Sequence, residues 1–287
     1  MTNLTHPSLI ARLRAWLRRD PRVILSLGFL FVLLVLSIAA PWIAPHSPSV
    51  QDLGNTLGPP SASHWLGTDD LGRDIFSRLL YGGRVAVYAS LLAVGVAVVF
   101  GVPVGVIAGF TGGWFDEVVG RIIDTLLSFP AIVLAIAVTG ALGIGLTNGM
   151  ISVGIVFAPQ LARIARARTL VVRHELYVDA ARCYGAPLPH ILWRHVLPNA
   201  IQPVLVQVTI LLAAALLAEA SLSFLGLGIQ PPDPSWGAML ARAYQSMEIA
   251  PSQMYAPGLA ILATALAFNS LGESIRKALD PTQRSLH

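Results

Sequence analysis

Six stretches of this chain are apolar for long enough to cross a bilayer, whose hydrocarbon core of roughly 30 Å takes about 20 helical residues. They cover residues 23–44, 85–110, 119–140, 149–164, 200–225 and 255–271. The first two carry no charge. The third opens with Arg121 and Asp124, the fourth ends in a basic run, and the sixth includes Asn269. Polar segments divide them. Residues 45–84 and 226–254 make two longer loops, and residues 165–199 are too polar to span and too long for a simple turn. The pattern predicts an all-α polytopic membrane protein with six transmembrane helices. Its layout is a polar N-terminal segment (1–22), an N-terminal anchor (23–44), a loop (45–84), a five-helix core (85–275) containing the loop 165–199, and a tail (276–287).

Charge placement orients these spans, because Lys and Arg accumulate on the cytoplasmic side. With the N-terminus inside, 15 Lys and Arg residues fall on inner segments and 4 (Arg73, Arg78, Arg84 and Arg242) on outer ones. Both termini are therefore expected in the cytoplasm. The first apolar run is longer than the 7–15 residues of a signal-peptide core, and Pro41 follows its small residues directly, so a retained anchor is expected.

Composition narrows the class further. The chain is 55% hydrophobic and only 12% charged, too little charge to cover a soluble surface and too much apolar character for disorder. Its net charge of +4 rests on scattered Arg and one Lys, Lys277, which gives no nucleic-acid patch. Cys183 is the only cysteine, so no intramolecular disulfide forms, and no Cys/His spacing suits zinc. The phosphate-cradling loop needs a Lys after Gly, whereas Lys277 follows Arg276. No His-Glu-x-x-His or Gly-x-Ser-x-Gly element is present. No catalytic residue, metal or cofactor is expected on this chain, and any ATP hydrolysis belongs to another. Ionisable groups inside the spans are few, which points away from an ion-driven carrier, the alternative from another functional class.

Within 165–199, residues 175–184 suit a short helix, Gly185 a left-handed turn, and Pro187 and Pro189 a restricted exit. Residues 190–197 suit a second short helix ending before Pro198. The product is a compact knob on the inner face. Its pattern, Asp179-Ala180-Ala181 followed by Gly185 and then by His195-Val-Leu197-Pro198-Asn199, resembles the EAA loop of ABC-importer permeases. Asp179 stands where Glu is usual, and His195 where many members have Ile, a feature of the dipeptide/oligopeptide/nickel branch. Two further segments, His64 to Arg84 and Glu219 to Gly237, resemble the C-type subunit of that branch. The resemblance implies half of a translocation pore for di- or oligopeptides, with nickel or glutathione as alternative cargoes. It also implies a second homologous permease, two cytoplasmic ATPases that hold ATP and Mg, and a periplasmic or lipid-anchored binding protein. Asp179, Ala180, Ala181, Gly185, Pro187, His195, Leu197 and Pro198 would then form the ATPase-coupling loop.

Other residues carry weaker signals. Gly101, Gly105 and Gly109 make one smooth helix face suited to close packing in lipid. Arg121 and Asp124, one turn apart, are expected to pair. Arg163, Arg166, Arg168 and Arg173 could meet lipid phosphates or an acidic ATPase surface. Glu219 either faces the route, where it would meet a peptide's amino group, or pairs with Arg242. Asp69, Asp70, Arg73 and Asp74 form either a receptor-docking surface or a self-paired loop. Trp65 and Trp236 suit interfacial anchoring.

Overall fold

A computed structural model describes residues 21–279. Among them the chain is helical, without a β-sheet; Thr68 and Asp74 form an isolated bridge. The first long helix, α1 (Pro21–Ile43), leads through an irregular loop to α2 (Ile75–Thr111). Next come α3 (Gly113–Ser128), α4 (Ala131–Leu142), α5 (Leu146–Val172) and the short α6 (Leu176–Cys183). A single turn, α7 (Leu188–Ile191), passes through a π-helical segment (Leu192–Val196) into α8 (Leu197–Phe224). The chain closes with α9 (Trp236–Gln245) and α10 (Tyr255–Leu279).

Five segments are long and apolar enough to cross a membrane, and a sixth exists only if α3 and α4 count as one span bent by 96°. The sequence pattern predicts one membrane span over 119–140, and here the structure differs. A proline disfavours the helical region for the residue before it. Phe129 before Pro130 is accordingly extended, at φ −82° and ψ 141°. The bent pair still joins the two ends of the bundle. Gly109 near its start receives Arg173 Nη1 at 3.0 Å, and Gly145 beyond its finish donates to the Leu227 carbonyl. Two ends can thus be defined: a knob end around 173–199, and a loop end formed by 45–74 and 226–250.

The core is a seam between α2 and α5. Ala93, Ala97, Gly101, Gly105 and Gly109 recur every fourth residue on α2. A Cβ added to the three glycines would strike the backbone carbonyls of Ala158, Ala162 and Arg166 on α5. In the other direction, a Cβ on Gly154 would meet the Ala93 carbonyl at 2.6 Å. Such spacing lets helix backbones touch where no hydrophobic force separates helix from lipid. The packing role expected of these glycines holds within the chain. Much of α1 stays exposed and apolar, with Leu25 and Phe31 outward, as a lipid-facing helix requires.

Candidate functional site

The knob is built on α6. Glu175 precedes it in extended conformation. Its C-terminus closes by a pair of backbone bonds, Ala186 N–H to Ala181 O (3.1 Å) and Gly185 N–H to Arg182 O (2.9 Å). That double closure needs a left-handed residue, and Gly185 supplies it at φ +74°. Pro187 then caps α7 in extended form at ψ 148°. The first short helix and its glycine turn match the sequence expectation.

The second does not stop at Pro198. A proline ring clashes with the carbonyl four residues back and has no N–H to donate. The chain avoids the clash by widening into a π turn, in which Leu197 N–H reaches the Leu192 carbonyl, and it continues straight into α8. Asn199 Nδ2 donates to the His195 carbonyl at 2.7 Å, taking up an acceptor in the widened turn. The knob's second half is therefore the first two turns of a long membrane helix.

Three apolar side chains anchor it. Val178, Ile191 and Val196 are fully or almost fully buried and continuous with the core of α2, α5 and α8. Ala181 and Leu197 pack partly against the same cluster. Arg182 lies over the Phe110 ring at 4.9 Å, and Arg173 holds the end of α2, so the knob sits on the tip of the seam. Outward, Tyr184 (91% exposed), Leu176, Leu188 and Trp193 form an apolar rim. Asp179 and Ala180 are exposed beside it, with Asp179 only 3.5 Å from Arg182 in a loose ion pair. His195 is half-buried, its ring centroid 5.8 Å from His190 and 6.3 Å from Tyr177. Partial burial, then the charge of Glu175, raises the Tyr177 phenol pKa above its ordinary value. The knob thus presents exposed apolar side chains on a base of buried ones.

The basic residues below the knob serve the chain itself. Arg166 grips Asp116 with two nitrogens, and Arg163 reaches Asp124, so α5 is bolted to α3. Arg121 pairs with Glu117 at 2.7 Å rather than with Asp124, which lies as near on the helix but is taken by Arg163. Arg168 donates to the Asn199 carbonyl at 3.4 Å. These arginines thus brace the chain's own helices, with Arg163 still half-exposed.

At the loop end, two expectations are corrected. Asp69, Arg73 and Asp74 are buried and Asp70 half-buried, which matches the self-paired loop rather than an open charged surface. Arg73 pairs with Asp69 at 2.7 Å, Arg78 lies 3.5 Å from Asp69, and Arg242 holds Asp70 at 2.9 Å. Residues far apart in sequence thereby brace one another. Glu219 is likewise not the partner of Arg242. Its side chain is 1% exposed, and its Oε1 accepts from Ser223 Oγ at 2.7 Å. Trp236 is buried, not interfacial, donating from Nε1 to the Leu79 carbonyl at 2.9 Å, whereas Trp65 is exposed.

Between α4, α5 and α8 lies a cleft of about 340 Å³. Its walls are apolar (Ala135, Val156, Phe157, Leu217), with Ser221 the one hydroxyl among them. Glu219 is absent from this lining, and its carboxyl packs against Ser223 instead.

Lipid-length helices enclosing an apolar cleft, with an exposed apolar knob fused to one of its walls, describe a membrane-embedded protein built around a passage. The comparisons with known proteins make the class specific. Residues 101–285 match the binding-protein-dependent transport system inner membrane component family, and the chain belongs to it. Residues 8–60 match the N-terminal TM domain of oligopeptide transport permease C. The dipeptide transport system permease protein DppC of Alkalihalophilus pseudofirmus is 39% identical over 94% of this chain and 88% of its own length. The glutathione transport system permease protein GsiD of Pectobacterium atrosepticum is 44% identical over 89% of this chain and 86% of its own length. Among solved structures, an inward-facing form of the MetNI methionine ABC transporter superposes with TM-score 0.57 at 21% identity, covering 72% of this chain and 98% of that one, and shares the fold. The chain is thus a multi-pass inner-membrane permease subunit of an ABC importer. Its role is transport rather than catalysis, and its family works with ATPase and substrate-binding partners.

Proposed function

We propose that this chain is one of two non-identical permeases in a di- or oligopeptide importer, and that its knob docks on a cytoplasmic ATPase. The knob carries the reading: an exposed rim of Leu176, Tyr184, Leu188 and Trp193 stands on buried Val178, Ile191 and Val196. Because α7 runs without a break into α8, a push on the rim moves the wall of the cleft. ATP and Mg are held by the two partner ATPases, and no cofactor or metal takes part in transport on this chain. Both termini face the cytoplasm, consistent with Pro21 and Leu279 belonging to the knob end, where the basic residues gather. A periplasmic or lipid-anchored binding protein delivers cargo at the loop end, membrane lipid covers the outer helices, and nucleic acid has no part.

An apolar wall selects weakly among peptides, so sequence tolerance inside the cleft goes with selection by the delivering protein. Glutathione, itself a tripeptide, is the second reading, favoured by the GsiD relatives. Reconstitution with the second permease, the ATPases and the binding protein in proteoliposomes tests the scheme. Gly185→Val forces a β-branched residue into the left-handed region at about 1–2 kcal/mol, and should leave ATP hydrolysis while abolishing peptide uptake. Normal uptake by this variant, or gradient-driven uptake by the chain without ATPases, refutes the proposal.

A further inference from the structure

At the loop end, three residues distant in sequence converge: His46 just after α1, His64 in the following loop, and Asp74 at the start of α2. We propose that they form a binding site for a divalent transition-metal ion, independent of the knob and of the transport cleft.

The geometry is close to that of a metal site already. His64 Nδ1 stands 3.0 Å from Asp74 Oδ1, and His46 Nδ1 stands 4.0 Å from Asp74 Oδ2. All three prospective ligand atoms lie within 4.8 Å of one another. Donors bound tetrahedrally at about 2.0–2.2 Å from an ion sit about 3.3–3.6 Å apart, a little wider than the His64 Nδ1–Asp74 Oδ1 separation and inside the 4.8 Å that bounds all three atoms. The two imidazoles are stacked, with centroids 4.6 Å apart, so both present the same edge to the carboxylate. His64 and Asp74 need to part by only a few tenths of an ångström, and His46, which has the furthest to move, carries the exposed ring, 40% accessible against 14% for His64 and none for Asp74.

The surroundings fix the ligands as a metal site's outer contacts do. Asp74 Oδ2 accepts from both Ser77 N–H and Ser77 Oγ–H at 2.7 Å, which holds the carboxylate plane and leaves Oδ1 facing His64. The same buried hydroxyl oxygen accepts the His46 backbone N–H at 3.2 Å. Ser77 therefore ties two of the three ligands together. The nearby guanidinium groups of Arg73, Arg78 and Arg242 are turned to Asp69 and Asp70 and leave Asp74 to the histidines. When an ion enters, His64 adopts its Nε2–H tautomer, and the Nδ1 lone pair replaces the hydrogen bond to Oδ1. Two imidazole nitrogens and one carboxylate oxygen suit zinc, copper, nickel or iron(II) and not magnesium or calcium. The exposed side of His46 leaves a position for water.

A bound ion would clamp the loop that follows α1 to the first turn of α2. The test is cobalt(II) titration of the full chain within its assembled transporter, read by the visible absorption of tetrahedral cobalt and reversed by zinc. The proposal expects saturable binding, micromolar or tighter, that weakens by about tenfold or more in His46→Ala and persists in His190→Ala. The His46 side chain makes no hydrogen bond, so helical circular dichroism and the melting temperature in chelator should be unchanged in that variant. His64→Gln should also lose cobalt binding. Absence of saturable cobalt binding, or equal affinity in wild type and His46→Ala, overturns the site and leaves a His64–Asp74 helix cap.

Discussion

Replacing Gly105 by Ala should loosen the bundle, whereas the same substitution ten residues earlier on the same helix should not. The added Cβ at position 105 would lie 2.9 Å from both the carbonyl carbon and the Cα of Ala162, backbone atoms that cannot rotate away. The Ala162 carbonyl oxygen is nearer still, and ordinary contact starts near 3.4 Å, so α2 and α5 must separate by about an ångström along the seam. A gap of that size forfeits about a quarter or more of each dispersion well it opens. Overpacking of this kind costs about 1–3 kcal/mol, set against up to about 1 kcal/mol gained from replacing Gly by Ala in a helix. Gly95 faces outward with nothing within 4 Å of the added methyl, and receives only the gain. The expected difference between Gly105→Ala and Gly95→Ala is about 2 kcal/mol, or roughly thirtyfold in the unfolding constant. Reversible denaturation in mixed micelles, followed by circular dichroism, measures it. Equal stability of the two variants, or a more stable Gly105→Ala, would refute the seam as the element that holds the fold.

Three further outcomes follow from the contacts described. Asp116→Asn and Arg166→Gln, measured singly and together, should show a coupling energy of about 1–3 kcal/mol, because the pair is two-pronged and partly buried; additive losses would remove it as the bolt between α3 and α5. Trp236→Phe should cost about 1 kcal/mol for the lost bond to the Leu79 carbonyl, and Trp236→Ala about 3–5 kcal/mol in the same denaturation assay, while no difference between them would place the energy elsewhere. Glu219→Gln, which keeps an acceptor for Ser223, should assemble and transport as wild type; Glu219→Leu should lose about 1–3 kcal/mol of stability, and a transport defect in a fully stable Glu219→Gln would return the carboxyl to the cargo route.

Much of the architecture was legible because the bilayer imposes a simple rule on composition. The apolar runs located α1, α2, α5, α8 and α10, and the glycine spacing on α2 announced its packing face. The α6 turn was readable too, since Gly185 and Pro187 leave the backbone few choices. The break at Phe129–Pro130 was signalled by the proline, but apolar residues on both sides disguised it as one span. The reach of α5 to Val172 was hidden for the opposite reason. Arg163, Arg166 and Arg168 look like loop composition until Asp116, Asp124 and the Asn199 carbonyl are seen to receive them. At Pro198 the sequence signal for an ending was real, but a π turn absorbed it. The loop-end network was beyond reach, because pairs such as Asp70 with Arg242, 172 residues apart, leave no local pattern. The convergence of His46, His64 and Asp74 is invisible for the same reason.

Cys183 offers the most direct measurement of the docking claim. It is the chain's one cysteine and stands exposed at the end of α6, between Asp179 and the Tyr184 rim. Maleimide labelling of this thiol, followed by mass spectrometry of the intact chain, reports whether the knob is covered. With the ATPases bound, labelling should slow by about tenfold or more, as burial in a desolvated contact demands, and recover when they are stripped away. Equal labelling rates with and without bound ATPases would contradict the account.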